Sequence, residues 1–387
     1  MTLSKADRPA PPPPAPSRTP GGPRPRPSRS RPRGELFDTL FVPGVVAALV
    51  VYLAVTNDAF LSRINVTNVL TQASILAIVA FGMTFVIMGR ELDLSVGTGS
   101  ALISVLGATV MADTGSIWLG VLACLGAGLV LGLVNGAIVT FLQVPSFITT
   151  LGTMIIAGAV ALAMTNGGVV TGLPDDFRSL STLRVAGLPV LVVGTAVVFL
   201  VLWWMQRQTV FGYQVLAVGG NTEAARLSGI SVARIRMLIF LVTGIAAALA
   251  GLALLVRVQS GQPNANGTLA LEAIAAVVVG GTSLNGGRGS VVRTLWGVLL
   301  IAVLRNGLDI SGISEDYKDI VLGVVFILAA SVDFLRRRLI RPRVRTLAVE
   351  PGGVDTDPVA GPADRAGPSG SSGRTPSQDL RTTAPPQ

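Results

Sequence analysis

The chain has 387 residues, of which half are hydrophobic and only 13% charged, with a mean hydropathy of +0.65. Soluble domains carry about 25% charged residues, so a soluble globular fold is excluded. The absence of histidine and the single cysteine, Cys124, exclude imidazole metal sites, histidine acid–base catalysis, an intrachain disulfide and any multi-cysteine metal centre. The formal charge of +9 is uneven and concentrates near the two ends.

Residues 1–34 are rich in proline and arginine, including prolines 11–14 and Arg24, Arg26, Arg29, Arg31 and Arg33. Such a segment lacks the apolar residues for a core, and is expected to be a disordered cytoplasmic tail that touches anionic lipid. Apolar blocks of about 17–25 residues follow, the length that crosses a bilayer. They lie at 41–57, 69–88, 94–111, 117–141, 146–164, 188–205, 235–256, 269–284, 291–307 and 318–335. The pattern predicts an all-α polytopic membrane protein with about ten transmembrane helices within 35–340. The block at 269–284 is short, starts near Glu272 and runs into Gly280 and Gly281, so it is expected to be broken or re-entrant. Residues 341–387 form a second tail of the Pro/Gly/Ser/Asp type, also expected to be disordered and cytoplasmic.

Basic residues orient this arrangement. With the first tail inside, an even number of crossings puts Arg207, Arg226, Arg234, Arg236, Arg288 and Arg293 on the cytoplasmic side. The cluster Arg336, Arg337, Arg338, Arg341, Arg343 and Arg345 falls there too. Arg63, Arg178, Arg184, Arg257, Arg305 and Lys318 are left outside. If the block at 269–284 did not cross, the closing cluster would be forced outside.

Within this frame, Gly128, Gly132 and Gly136 repeat every fourth residue and leave a groove for a neighbouring helix, with Asn135 beside it. Arg90, Glu91 and Asp93 form a charged inner rim, read as a helix cap or a gate in which Arg90 pairs with either acid. The long outer loop, 165–187, carries Asp175, Asp176, Arg178 and Arg184 and is polar enough to meet a soluble partner. The long inner loop, 206–234, holds a small capped helix at 219–230. Asn221 or Thr222 can cap its first turn, Glu223 sits where the helix dipole favours an anion, and Gly229 can end it in the left-handed conformation. Ala224, Ala225 and Ser228 are expected to share one smooth face.

Gly280 to Ser290 imitates a phosphate loop, but Gly287-Arg288 stands where Lys and Ser/Thr are required, so it reads as a tight turn. Its glycines faintly echo the stretch from Gly82 to Asp93, as a parallel duplication would. Uncharged polar residues reach membrane depth at Gln72, Thr84, Ser100, Asn135, Ser146, Thr149 and Thr150. Together they suit a path for a neutral, hydroxylated solute, while each alone is more often an interhelical hydrogen bond. No span carries Asp, Glu or Lys near its centre, so the energy for pumping must come from elsewhere. No catalytic constellation is present, and no metal or cofactor is expected.

Four stretches carry a resemblance: 89–97 (GRELDLSVG), 219–230 (GGNTEAARLSGI), 259–263 (QSGQP) and 272–290 (EAIAAVVVGGTSLNGGRGS). In this order they are similar to the permease subunits of bacterial ATP-binding-cassette importers for ribose, xylose, galactose and similar monosaccharides. These belong to the branched-chain amino acid/ribose permease group. The likeness covers about 70–335; at 89–91 the chain has Gly-Arg-Glu where the family usually shows two glycines. The resemblance implies a multi-pass subunit of the bacterial plasma membrane, with both termini cytoplasmic. It further implies a second permease copy, a sugar-binding protein outside, and ATP hydrolysis on a separate cytoplasmic subunit. Under it, Asn221, Thr222, Glu223, Ala224, Ala225, Arg226, Ser228, Gly229 and Ile230 form the helix that couples to the ATPase. The alternatives are the same machine carrying branched-chain amino acids or another small polar solute, and an ion-coupled secondary transporter.

Overall fold

The computed structural model describes residues 32–331, apart from 266, 315, 316, 319, 326 and 328–330. The tail readings beyond these bounds, the arginine cluster at 336–345 and the end of the last expected span lie outside the described residues. The elements are α1 (Pro32–Thr56), α2 (Arg63–Met88), α3 (Val96–Thr114), α4 (Ile117–Phe141), α5 (Ser146–Thr165), α6 (Asp175–Ser179), β1 (Arg184–Val185) and β2 (Leu188–Pro189). They continue with α7 (Val190–Gln208), α8 (Val210–Gly220), α9 (Thr222–Leu227), α10 (Val232–Val258), α11 (Leu269–Val279) and α12 (Val291–Ile310). Among the described residues, α2, α3, α4, α5, α7, α10 and α12 are long and apolar enough to cross a membrane. Shorter apolar helices cover Leu40–Thr56, Val210–Gly220 and Leu269–Val279.

Helix α2 is central. From Ala73 to Met88 α2 is apolar on every side, apart from Ser74 and Thr84, and all of these residues are buried. Apolar character alone does not place it there, since α4 is more apolar and still lies outside; the packing of its neighbours does. Helices α10, α12, α11 and α7 surround it, and α8 adjoins it. The outer helices turn apolar side chains outward: Trp118, Leu122 and Val130 of α4, Ile155 and Ile156 of α5, and Val201 and Trp204 of α7. So large an apolar surface is stable against hydrocarbon rather than water.

The glycine stripe finds its partner in α10. A Cβ on Gly128 would lie 2.4 Å from the Gly244 carbonyl oxygen, and one on Gly132 would lie 2.5 Å from that of Phe240. At Gly136 the nearest atom is the Met237 sulfur, at 2.7 Å. The two helices run antiparallel with backbones in contact, as small residues at every fourth position permit. Cys124 is fully buried, and a Cβ on Gly107 of α3 would meet its sulfur.

Antiparallel pairs define two ends of the bundle. The Arg63 end joins Asn65 to Asn306 through reciprocal amide hydrogen bonds of 2.9 and 2.7 Å. It also carries the small β1–β2 hairpin and a bridge between Val170 and Gly261. The Met88 end gathers the start of α3, α8 and α9, and the start of α12.

Helix α11 descends from the Arg63 end, where Glu272 meets Arg305 at 2.6 Å, towards Arg293, whose carbonyl oxygen is 2.5 Å from a Cβ built on Gly280. Its 11 residues rise only about 16 Å, against about 30 Å of hydrocarbon. Irregular chain at 280–290 completes the descent to the Met88 end. Its Thr282, Ser283 and Ser290 are buried in protein, which is how non-helical backbone is tolerated at membrane depth. The short, broken segment expected at 269–284 is thus present. The inner loop expected at 206–234 contains an additional helix, α8, whose 11 residues are too few for a span.

Candidate functional site

Helix α9 stands at the Met88 end. The Asn221 side chain accepts a hydrogen bond from the Ala224 N–H at 3.0 Å, and Gly229 takes the left-handed conformation at φ +82°. Glu223 and Arg226 pair at 2.8 Å on the surface. Thr222 donates to the Val218 carbonyl at 2.9 Å, which ties the turn to α8. The expected smooth face needs correction. Ala224 and Ser228 are exposed, but Ala225 is 4% exposed and forms the seat against the protein. Successive helical residues are turned by about 100°, so Ala225 cannot share the outward face of Ala224. Leu227 takes that place: it lies three residues after Ala224 and is 81% exposed. The i, i+3, i+4 pattern of 224, 227 and 228 was available in the sequence, but an isolated leucine drew no notice. Ile230 is half-buried and packs against the core.

The root of α9 is a junction of backbones. Gly219 is so close to α2 that a Cβ there would sit 1.8 Å from the Met88 carbonyl oxygen. The same oxygen accepts the Gly287 N–H at 2.9 Å, and a Cβ on Gly287 would lie 2.6 Å from the Gly220 Cα. Three of the stretches singled out above (89–97, 219–230 and 272–290) therefore meet at the end of α2. Gln206 of α7 locks the third into place. Its amide donates to the Gly289 carbonyl at 3.0 Å and accepts from the Val291 N–H at 2.9 Å, where α12 begins. Sequence reading missed Gln206; a single buried amide in the last turn of an apolar span was the available signal. Replacing it with leucine leaves the buried Val291 N–H unpaired, a loss of about 1–3 kcal/mol. A lower melting temperature of the purified protein in detergent is expected, and an unchanged one would exclude the clamp.

The rim residues are arranged differently from expectation. Arg90 is exposed, at φ +66°, and Glu91 pairs instead with Arg236 of α10 at 2.9 Å. The Arg236 Nε–H does not aim at the carboxylate, so this is a contact of charges rather than a directed hydrogen bond. Burial pushes the Glu91 carboxyl above the usual range, against the opposing pull of the Ser146 hydroxyl and of Arg236. Asp93 is not at a rim but is 1% exposed inside the bundle. It accepts from the Ser95 N–H at 3.0 Å, the Ser95 hydroxyl at 2.6 Å and the Thr243 hydroxyl at 2.8 Å. The loop folds inward because α4, α5 and α10 each offer it a polar group, and Asp93 thereby orders the start of α3.

The path residues separate into unrelated places. Asn135 donates to the Ser95 hydroxyl at 2.8 Å. Ser146 accepts from the Leu92 N–H at 3.1 Å, while Thr150 and Thr149 donate back along their own helix. These belong to the support of the 89–95 loop. Thr84 contacts Thr294 at 2.8 Å between α2 and α12, and Ser100 donates to Gly97 within α3. Gln72 lines an opening. A cavity of about 440 Å³ at the Arg63 end is bordered by Gln72, Arg257, Thr268, Glu272, Arg305 and Asp309 with apolar neighbours. A second, of about 320 Å³, shares Gln72 and Arg257 and adds Thr67, Asn68, Thr71 and Arg184. Among the described residues, no cluster of three or more Cys, Asp or Glu side chains could hold a metal.

A membrane bundle with a broken helix, a polar opening at one end and an exposed capped helix at the other has the architecture of a solute permease. The chain belongs to the family described as branched-chain amino acid transport system / permease component, whose profile matches residues 65–330. It is 41% identical over 287 residues to the ribose import permease protein RbsC of Bacillus subtilis (strain 168), covering 74% of this chain and 89% of that protein. Against RbsC of Escherichia coli (strain K12) the identity is 40% over 293 residues, 74% and 91% of the two chains. The xylose transport system permease protein XylH of the same strain is 32% identical over 366 residues, 77% and 92%. No solved structure matches this chain. The protein is thus a multi-pass membrane permease subunit of an ATP-binding-cassette importer, a transporter and not an enzyme, with ATP hydrolysis on a separate subunit.

Proposed function

We propose that this permease forms the pathway for a monosaccharide of the ribose or xylose kind, and that a cytoplasmic ATPase drives it by gripping α9. The junction beneath that helix supports the reading most strongly, because Gly219 packs α8 and α9 against the end of α2 and against Gly287 in the irregular chain before α12. Displacing α9 must therefore move the central helix. The Met88 end then faces the cytoplasm, with both termini on that side. The Arg63 end receives solute from a sugar-binding protein over the loop at 165–187, and a second permease copy completes the pathway. The cargo reading rests on the ribose and xylose permeases among the relatives. Branched-chain amino acids, named in the family description, are the competing cargo. An ion-coupled mechanism finds no support in Asp93, whose oxygens are engaged by Ser95 and Thr243.

The exposed face of α9 provides the test. Ala224→Trp is expected to abolish co-purification with the ATPase while the protein remains inserted and monodisperse. Ala225→Trp, by contrast, is expected to destabilise the permease itself, because that side chain is seated inward. Undiminished ATPase capture by the Ala224 variant would refute docking at α9.

A further inference from the structure

We propose that Arg257 and Gln72 form the point at which the permease holds its solute, by donating hydrogen bonds to vicinal hydroxyls of a neutral monosaccharide. This rests on the importer reading above and adds the contact residues. Both side chains border both cavities at the Arg63 end, so they stand where the two openings join. The combined space suits a small ligand, for which cavities of about 300–1,000 Å³ are usual.

The charges of the wall leave these two groups available. Glu272 is bridged by Arg305 at 2.6 Å and accepts the Thr268 hydroxyl at 2.9 Å. Asp309 is paired with Lys318. Both acids are therefore neutralised, while Arg257 has no ion-pair or hydrogen-bond partner among the described residues, and neither has the Gln72 amide. A guanidinium presents several N–H donors in one fixed plane and an amide adds a donor and an acceptor, a set that matches adjacent hydroxyls. The broken helix α11 begins at this cavity with Leu269, the placement at which discontinuous helices line substrate sites. Among the described residues the wall has no unpaired carboxylate to attract a cationic solute.

The test uses the permease reconstituted in lipid vesicles with its ATPase and binding protein, supplied with radiolabelled D-ribose, D-xylose or D-galactose. Arg257→Gln and Arg257→Lys are both expected to lower the initial uptake rate about tenfold, the effect of losing hydrogen bonds to a charged donor. ATP hydrolysis stimulated by the binding protein is expected to persist, and Gln72→Leu to show the same split. Lysine fails here because it keeps the charge and loses the planar fork. Rescue by lysine, undiminished uptake in the variants, or parallel loss of ATP hydrolysis each overturns the assignment, while the importer reading survives. Wild-type vesicles that carry none of the three sugars would overturn both.

Discussion

Gly219→Ala is expected to reduce ATP-driven uptake to background while the ATPase remains bound. The substitution puts a methyl carbon 1.8 Å from the Met88 carbonyl oxygen, about half the distance two such atoms tolerate. The obstacle is backbone on both sides, since the Gly287 nitrogen lies 2.9 Å from the same position. Relief requires α8 to back away from α2, which breaks the contact that transmits movement of α9. Overpacking costs about 1–3 kcal/mol in ordinary cores, and a rigid neighbour places this case at the upper end. The exposed face at 224, 227 and 228 is untouched, so docking and transmission separate in one variant. Vesicle uptake and ATPase pull-down on the same preparation measure both. Uptake at the wild-type rate would show that the junction does not carry the signal.

Gly128→Val is expected to prevent recovery of folded permease, whereas Gly126→Val, two residues away on the same helix, should behave as wild type. At Gly128 the added side chain meets the Gly244 carbonyl oxygen at 2.4 Å and the Ala248 Cβ at 2.6 Å; at Gly126 nothing lies within 4 Å. Burial drives little association between helices already surrounded by lipid, so close packing itself holds α4 to α10. Separating them also removes Asn135 from Ser95 and Thr243 from Asp93, leaving a buried carboxylate with fewer donors. Fluorescence size-exclusion profiles of the two variants provide the comparison. Equal recovery of both would mean that the stripe faces lipid rather than α10.

These two cases also show what can be read without coordinates. The every-fourth-residue spacing of Gly128, Gly132 and Gly136 announced a tight helix contact, because lipid leaves few other uses for such a groove. Its partner was not legible, since Gly244 lies more than a hundred positions away and its neighbours are ordinary apolar residues. The cap of α9 was equally plain, as Asn221 and Gly229 act on their own local backbone. The inward turn of Ala225 was not, because alanine serves a seat and an exposed face alike. Proximity in sequence offers Arg90 as a partner for either Glu91 or Asp93. The backbone turn at Arg90, φ +66°, leaves Arg90 exposed, and Arg236 arrives from α10. Polar residues inside spans proved the hardest to judge. Thr84, Asn135 and Gln72 differ little as letters, yet the first contacts a partner helix, the second donates to the 89–95 loop and the third borders open space.

Accumulation of radiolabelled sugar in sealed vesicles, measured with and without the separate ATPase, decides whether this chain is driven from outside itself. With the ATPase, the binding protein and ATP present, sugar should concentrate against its gradient, and omitting the ATPase should stop it completely. Concentration of the sugar by the permease alone, on a proton or sodium gradient, would contradict the mechanism and leave α9 without a motor to couple.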